Sequence, residues 1–105
     1  MKQRSPVRKK KKLLVQFRDR TGALSTGWTR DLSPTGLFVV SNPMPAVGES
    51  VVLTLHLPRG IMLELSGTVV RLGRGSTSIE GSAPMGFGFK LTKSDEGYFK
   101  LFETL

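Results

Sequence analysis

Apolar and polar residues alternate along most of this chain, which is the pattern of half-buried β-strands. The alternation is sharpest in segment 50–57, where every second side chain is apolar and would face a core. Those residues are Val51, Leu53, Leu55 and Leu57. Similar patterns predict further strands over residues 13–17, 23–30, 36–41, 61–72 and 85–91. The sequence therefore predicts an all-β domain of six or seven short antiparallel strands.

Residues that interrupt strands separate these segments. Gly, Pro and Ser cluster in four predicted loops, over residues 18–22, 42–49, 58–60 and 73–84. Gly67 falls inside a strand pattern and predicts a bend or bulge there. Gly86 and Gly88 share one side of the last strand, so the backbone there is open to close approach by another element.

The periodicity changes near the end of the chain. Ser94 is a candidate N-cap, and Asp95 and Glu96 suit the positive end of a helix dipole. An apolar stripe at helical spacing follows, formed by Tyr98, Phe99, Phe102 and Leu105. We expect a C-terminal α-helix over about residues 94–105. It would lie against a small antiparallel barrel, because closing the sheet removes its exposed edges.

Positive charge is concentrated at the N-terminus. Residues 1–12 hold seven of the sixteen basic residues and no acid, whereas the rest of the chain is close to neutral, although the formal net charge is +8. We therefore divide the chain into a flexible basic arm, residues 1–12, and a barrel with its helix, residues 13–105. The natural partner of such an arm is an anion: a nucleotide phosphate, a nucleic acid or an acidic lipid surface.

Composition argues against several classes of protein. The 105 residues suit one domain, and the absence of cysteine excludes disulfides and thiolate metal sites. His56 is the only histidine and has no evident fellow ligands, so we predict no metal site. No nucleophile elbow, Walker loop or acid–base pair is present. No apolar run is long enough to span a membrane. We expect a cytoplasmic binding module without a cofactor, not an enzyme.

One hexapeptide stands out, Asp31-Leu32-Ser33-Pro34-Thr35-Gly36. Asp and Ser can accept hydrogen bonds from nearby N–H groups and Gly can take positive φ, so the simplest interpretation is a turn between two strands. A second pattern lies upstream, where Arg4 and Arg8 form an R-x-x-x-R.

Together, the two patterns and the strand order resemble the PilZ domain, a bacterial receptor module for cyclic di-GMP. The similarity extends through residues 36–39, 45–49, 67–71 and 85–89 and so covers nearly the whole chain. Many members carry a further Arg before the first motif arginine, where this chain has Gln3.

The resemblance implies that the ligand is cyclic di-GMP and that both motifs contact it. The implied binding residues are Arg4, Arg8, Asp31, Ser33 and Gly36, with Lys9 and Arg71 as candidate additional contacts. Guanidinium groups can bind phosphate or the O6/N7 edge of guanine and can stack on purines. A carboxylate can accept from the N1–H and N2 amino groups of guanine.

Other interpretations remain open. A PilZ domain with a degenerate site could act only as a protein adaptor, and a basic-armed barrel could bind nucleic acid. The second would need exposed aromatic residues interleaved with basic ones on one strand face. The lone Trp28 could pack over the core, which we expect, or present its ring to a base. We expect Phe38, Phe87 and Phe89 at core positions. A receptor of this size would act on a partner protein, as a monomer or a ligand-dependent dimer.

Overall fold

The computed structural model describes residues 8–18, 21–41, 44–74, 85–92 and 95–105. The seven strands in these ranges, in chain order, are β1 (Lys9–Lys10), β2 (Leu14–Arg18), β3 (Leu24–Ser33), β4 (Gly36–Ser41), β5 (Ser50–His56), β6 (Met62–Arg74) and β7 (Met85–Leu91). A 3₁₀ turn, Pro58–Gly60, connects β5 to β6, and the helix α1 spans Glu96–Thr104.

The described strands form a closed antiparallel barrel. Their order is β1-β3-β2-β5-β6-β7-β4, and β4 pairs back onto β3, so six strands close the barrel and β1 is an additional strand. The predicted fold class is therefore confirmed. The basic arm differs from the expectation of a wholly flexible segment, because Lys9 pairs with Leu32 and Lys10 with Asp31. Its residues 1–7 lie outside the described residues.

Alternating side chains fill the barrel as the sequence pattern predicted. Val15, Leu53 and Leu55 have no exposed surface, and the rings of Phe17 and Phe87 meet edge to face with centroids 5.4 Å apart. Burial of such apolar surface is the main source of stability in a domain without disulfides. Helix α1 contributes Tyr98 and Phe102 to the same core.

The N-cap of α1 is Asp95, not the predicted Ser94, which lies outside the described residues. An Asp95 carboxylate oxygen accepts from the backbone N–H of Tyr98 at 2.9 Å. A negatively charged cap also suits the positive end of the helix dipole. Phe99, predicted in the apolar stripe, is half exposed. The stripe that packs on the barrel instead pairs the buried Tyr98 and Phe102 with partly buried Leu101 and Leu105.

The strands differ from the predictions at three places. The predicted turn at residues 31–36 is mostly strand, since β3 continues through Ser33 and pairs with Gly36, leaving Pro34 and Thr35 as the turn. The irregularity predicted at Gly67 lies instead between Val69 and Arg71 in the pairing with β7. The strand β6 also extends to Arg74, into the loop predicted over 73–84, of which residues 75–84 lie outside the described residues.

Two aromatic residues are placed differently from the predictions. Trp28 lies on the outer face of the barrel and is 44% exposed. Phe38 is buried, but it faces away from the interior cluster, because its neighbours Leu37 and Val39 occupy the core side of β4. Phe87 and Phe89 are in the core as predicted.

Gly36 allows strands β4 and β7 to approach closely. A Cβ atom at this position would collide with the carbonyl oxygen of Phe89 on the neighbouring strand. The requirement is space, because the φ angle of Gly36 is not in the positive region that favours glycine. The motif glycine therefore has a structural role in barrel closure, whatever its role toward a ligand.

We expect Gly36→Ala to lower the free energy of unfolding by about 1–3 kcal/mol, the usual cost of overpacking. Urea denaturation followed by far-UV circular dichroism measures this. Gly73→Ala is the matched control, since a Cβ atom there meets nothing within 4 Å. Equal stability of the two variants would contradict this explanation.

Candidate functional site

The two predicted motifs meet at the carboxylate of Asp31. Arg8 places Nε at 2.9 Å and Nη2 at 2.7 Å from Asp31 Oδ1. On the other side, Arg30 donates from Nε to Asp31 Oδ2 at 2.7 Å. The Asp31 side chain is only 7% exposed, whereas that of Arg8 is 40% exposed. One buried carboxylate thus orients two guanidinium groups of which parts remain open to solvent.

The protonation of Asp31 depends on these two partners. Burial alone would raise its pKa, but hydrogen bonds from Arg30 and Arg8, together with their charges, outweigh burial and lower the pKa below its ordinary value of 3.8. The carboxylate is therefore ionised at neutral pH and holds the N-terminal segment against β3.

The hydroxyl of Tyr98 fastens the turn between β3 and β4 to helix α1. It lies 2.6 Å from the Ser33 carbonyl oxygen and 2.7 Å from that of Gly36, so its proton is shared between the two. The Ser33 hydroxyl also donates to the Gly36 carbonyl oxygen, at 3.3 Å. Burial raises the pKa of Tyr98. Sequence reasoning placed Tyr98 in the apolar stripe and missed this polar role, because the contact joins residues 65 apart.

The Phe38 ring packs against two arginines near the site, Arg30 and Arg71. The guanidinium carbon of Arg30 lies 4.3 Å from the centroid of the Phe38 ring, and that of Arg71 lies 5.9 Å away. Such stacking is favourable and restricts where a guanidinium can point. Arg30 and Phe38 were missed as site residues. The alternation along β4 contained the signal for Phe38, since it falls between two residues of the core face.

A cavity of about 240 Å³ opens beside this cluster. Its lining includes four of the predicted binding residues, namely Arg8, Ser33, Gly36 and Arg71. The other lining residues are Thr35, Leu37, Val70, Gly88, Phe89 and Lys90. Asp31 lies behind Arg8 and contacts it directly, and Arg4 lies outside the described residues. Cations line the cavity together with hydroxyl and apolar side chains and two glycines, and no acidic side chain among the described residues lines it.

Lys9, predicted as an additional contact, points away from this cavity. Its Nζ donates to the carbonyl oxygens of Phe102 at 3.0 Å and Leu105 at 3.3 Å and lies 4.5 Å above the Phe102 ring. A cation suits the C-terminal end of a helix, where carbonyl groups lack intrahelical partners. The consecutive residues Arg8 and Lys9 therefore contact different elements. Arg8 binds Asp31 on β3, and Lys9 binds the C-terminal end of α1.

Within the described ranges, no three His, Cys, Asp or Glu side chains gather in a way that could hold a metal ion. Nε2 of His56 lies 2.8 Å from Gln16 Oε1, an ordinary pairing between neighbouring strands. No helix in the same ranges is long and apolar enough to cross a membrane.

Comparison with known proteins agrees with this arrangement. The family model described as the PilZ domain matches residues 2–105. The chain belongs to the PilZ domain family. The match includes the N-terminal segment with Arg4 and Arg8, so both motifs lie inside the PilZ unit. No curated protein matches the chain.

Several solved structures share the PilZ fold at low sequence identity. The PilZ domain of YcgR from Escherichia coli, a structure with c-di-GMP, superimposes with a TM-score of 0.77 at 8% identity, covering 97% of this chain and 87% of that one. The motility inhibitor MotI (DgrA) of Bacillus subtilis gives 0.73 at 20% identity, covering 96% and 48%. The PilZ domain of CeSA from a cellulose-synthesizing bacterium gives 0.58 at 22% identity, covering 90% and 88%. The chain thus spans about half the length of MotI.

We expect the contribution of Asp31 to stability to depend on pH in one direction. Its pKa is lower in the folded state, so its contribution is fully present above about 3.8 and is lost as the pH falls through the lowered folded value. Urea unfolding of the wild type and of Asp31→Asn measures the difference. That difference should be constant near neutrality and shrink below pH 4. A difference that grows on acidification would contradict this.

Proposed function

We propose that this chain is a receptor for cyclic di-GMP, binding it at the cavity formed by Arg8, Ser33, Gly36 and Arg71. The observation that carries the proposal is the convergence of both PilZ motifs on this cavity, through the ion pair between Arg8 and Asp31. The c-di-GMP in the YcgR structures supports the choice of ligand.

The chemistry of the site suits this ligand. Cyclic di-GMP carries two phosphates and two guanine rings, and Arg8 and Arg71 can bind phosphate oxygens or stack on a purine face. Asp31 is ionised, so it can accept from the N1–H and N2 amino groups of a guanine edge if Arg8 turns toward the ligand. Because Gly36 has no side chain, the ligand can approach the backbone of the rim.

Our proposal is a binding protein rather than an enzyme, acting in the cytoplasm on a partner protein. Ligand binding would order the N-terminal arm across the cavity. Residue Arg8 would then be fixed by the ligand, and Lys9, the next residue, would be held against the end of helix α1. Helix α1 also contacts the motif turn, because the Tyr98 hydroxyl donates to the carbonyl oxygens of Ser33 and Gly36. Helix α1 is therefore the element through which a partner could sense the ligand.

Calorimetric titration of cyclic di-GMP tests the receptor proposal. We expect saturable binding that Arg8→Ala weakens by about 1.5–3 kcal/mol, the range for a hydrogen bond to a charged group. The double variant Arg4→Ala/Arg8→Ala should lose binding, and Asp31→Ala should weaken binding while the barrel stays folded. The stoichiometry would show whether one or two ligands bind.

Arg18→Ala is the matched control, since Arg18 is exposed at the far end of β2 and bonds only to the carbonyl of Gly22 among the described residues. GTP and linear pGpG serve as ligand controls. Equal affinity of the wild type and Arg8→Ala would exclude Arg8 from the site. If the folded wild type did not bind cyclic di-GMP, a PilZ domain with a degenerate site that acts only as a protein adaptor would be favoured.

Hydrogen exchange of the α1 amides tests whether ligand binding at the cavity affects helix α1 through Lys9. We expect cyclic di-GMP to slow exchange in the last turn of α1, because a fixed Lys9 holds its carbonyl groups. Lys9→Met keeps an apolar chain over Phe102 but removes the donor, so the ligand-dependent protection should disappear while affinity changes little. Lys10→Met is the control, since the Lys10 side chain lines a different cavity, together with Trp28. If cyclic di-GMP protected the α1 amides of Lys9→Met as it does those of the wild type, Lys9 would not link the ligand to α1.

A further inference from the structure

A second cavity, of about 480 Å³, lies on the outer face of the barrel and shares no lining residue with the first. We call it the Trp28 groove and define it by its lining, Lys10, Lys11, Lys12, Trp28, Thr29, Arg30 and Val40. Of these residues, only Arg30 also belongs to the arginine cluster around Asp31 described above.

The β-strand alternation builds the floor and one wall of the groove. Trp28 and Arg30 are two residues apart on β3, so they share its outer face, while Thr29 between them is buried. Thr29 fixes the neighbouring segment, because its hydroxyl donates to the Lys11 carbonyl oxygen at 2.6 Å and accepts from the Leu13 N–H at 2.9 Å. The lysines are therefore held beside the exposed ring by the backbone, although their side chains extend into solvent.

The ring of Trp28 is positioned but not covered. Its cross-strand neighbours on the outer face are Leu14 on β2 and Val40 on β4, both partly buried. The Nζ of Lys12 lies 4.9 Å from the ring centroid, and the Trp28 side chain stays 44% exposed. A planar group could take the place of this ammonium, which would then be free to bind an anion next to the ring.

The charge of the groove has one sign. No acidic side chain lines it in the described part of the chain, and Lys10, Lys11 and Lys12 have no carboxylate partner among the described residues. Arg30 alone is paired, with Asp31. A partner must therefore bring negative charge, and the exposed indole favours one that also brings flat aromatic rings.

We propose that the Trp28 groove binds single-stranded nucleic acid, with a base stacked on Trp28 and phosphates on Lys10, Lys11 and Lys12. An acidic protein would satisfy the lysines but leave the tryptophan ring without a matching group, whereas every base has a face that stacks on an indole. Trp28 and Arg30 place one exposed aromatic ring next to a cation on the same strand face, the combination that favours binding of a single strand. This proposal does not rest on cyclic di-GMP binding.

Trp28 is the only tryptophan, so its fluorescence reports on the groove without a label. We expect short oligothymidylate to quench this emission saturably in the wild-type chain. Binding is measured independently from the anisotropy of a fluorescein-labelled oligothymidylate. Inorganic polyphosphate is the charge-only competitor, because it offers phosphates without bases.

Stacking on an aromatic ring predicts that Trp28→Leu weakens oligothymidylate binding about 5- to 150-fold. Lys11→Gln/Lys12→Gln should reduce the slope of log affinity against log salt by about 1.4, the value for two phosphate contacts on a single strand. Lys100→Gln on the exposed face of α1 is the control for loss of charge. Folded Trp28→Leu should bind cyclic di-GMP as the wild type does, because Trp28 does not line the cavity of the receptor proposal, so failure of this proposal is distinguishable from failure of that one.

Three outcomes would overturn the assignment. The first is that the wild type does not bind oligothymidylate or binds it without quenching Trp28, a result that needs no variant to fold. The second is equal affinity in folded Trp28→Leu. The third is displacement of oligothymidylate by polyphosphate at equal phosphate concentration, which would indicate a site for acidic polymers in general.

Discussion

The close approach of strands at Gly36 is the constraint on which the binding rim depends. The barrel closes where β4 pairs with both β3 and β7, and a side chain at Gly36 would force β4 and β7 apart. The same residue ends the turn whose carbonyl groups Tyr98 binds. Closure, the motif turn and the docking of α1 therefore share one short stretch of backbone, so the rim is part of the core structure rather than a loop upon it.

Electrostatics make this rim ready for an anion. Asp31 neutralises one charge while it orients two guanidinium groups, and Phe38 limits the movement of Arg30 and Arg71. The proposed ligand would meet cations whose positions are already restricted, which would reduce the entropy lost on binding. Arg8 is the exception. It is partly exposed and attached to the arm, so it can exchange its carboxylate partner for a ligand while the others stay in place.

Much of the fold followed from the period-two pattern, because each strand has one face in the core. The sequence also predicted the motif residues, three of which line the cavity together with the predicted additional contact Arg71. What it missed came from contacts between distant residues. The hydroxyl of Tyr98 reaches the motif turn, and Lys9 reaches the end of α1, neither of which any local pattern encodes. Trp28 was misplaced for a different reason. Its large apolar ring suggested the core, but its position between the buried residues Gly27 and Thr29 puts it on the outer face of the barrel.

Tyr98 is the only tyrosine in the chain, and its hydroxyl is buried at the junction of helix and motif turn. Burial raises its pKa, so the folded protein keeps this phenol neutral above pH 10, where an exposed tyrosine ionises. Just above pH 10, we therefore expect tyrosinate absorbance from molecules in which α1 has left the barrel. The tyrosinate absorbance of this protein can thus be used to follow the docking of helix α1 on the barrel.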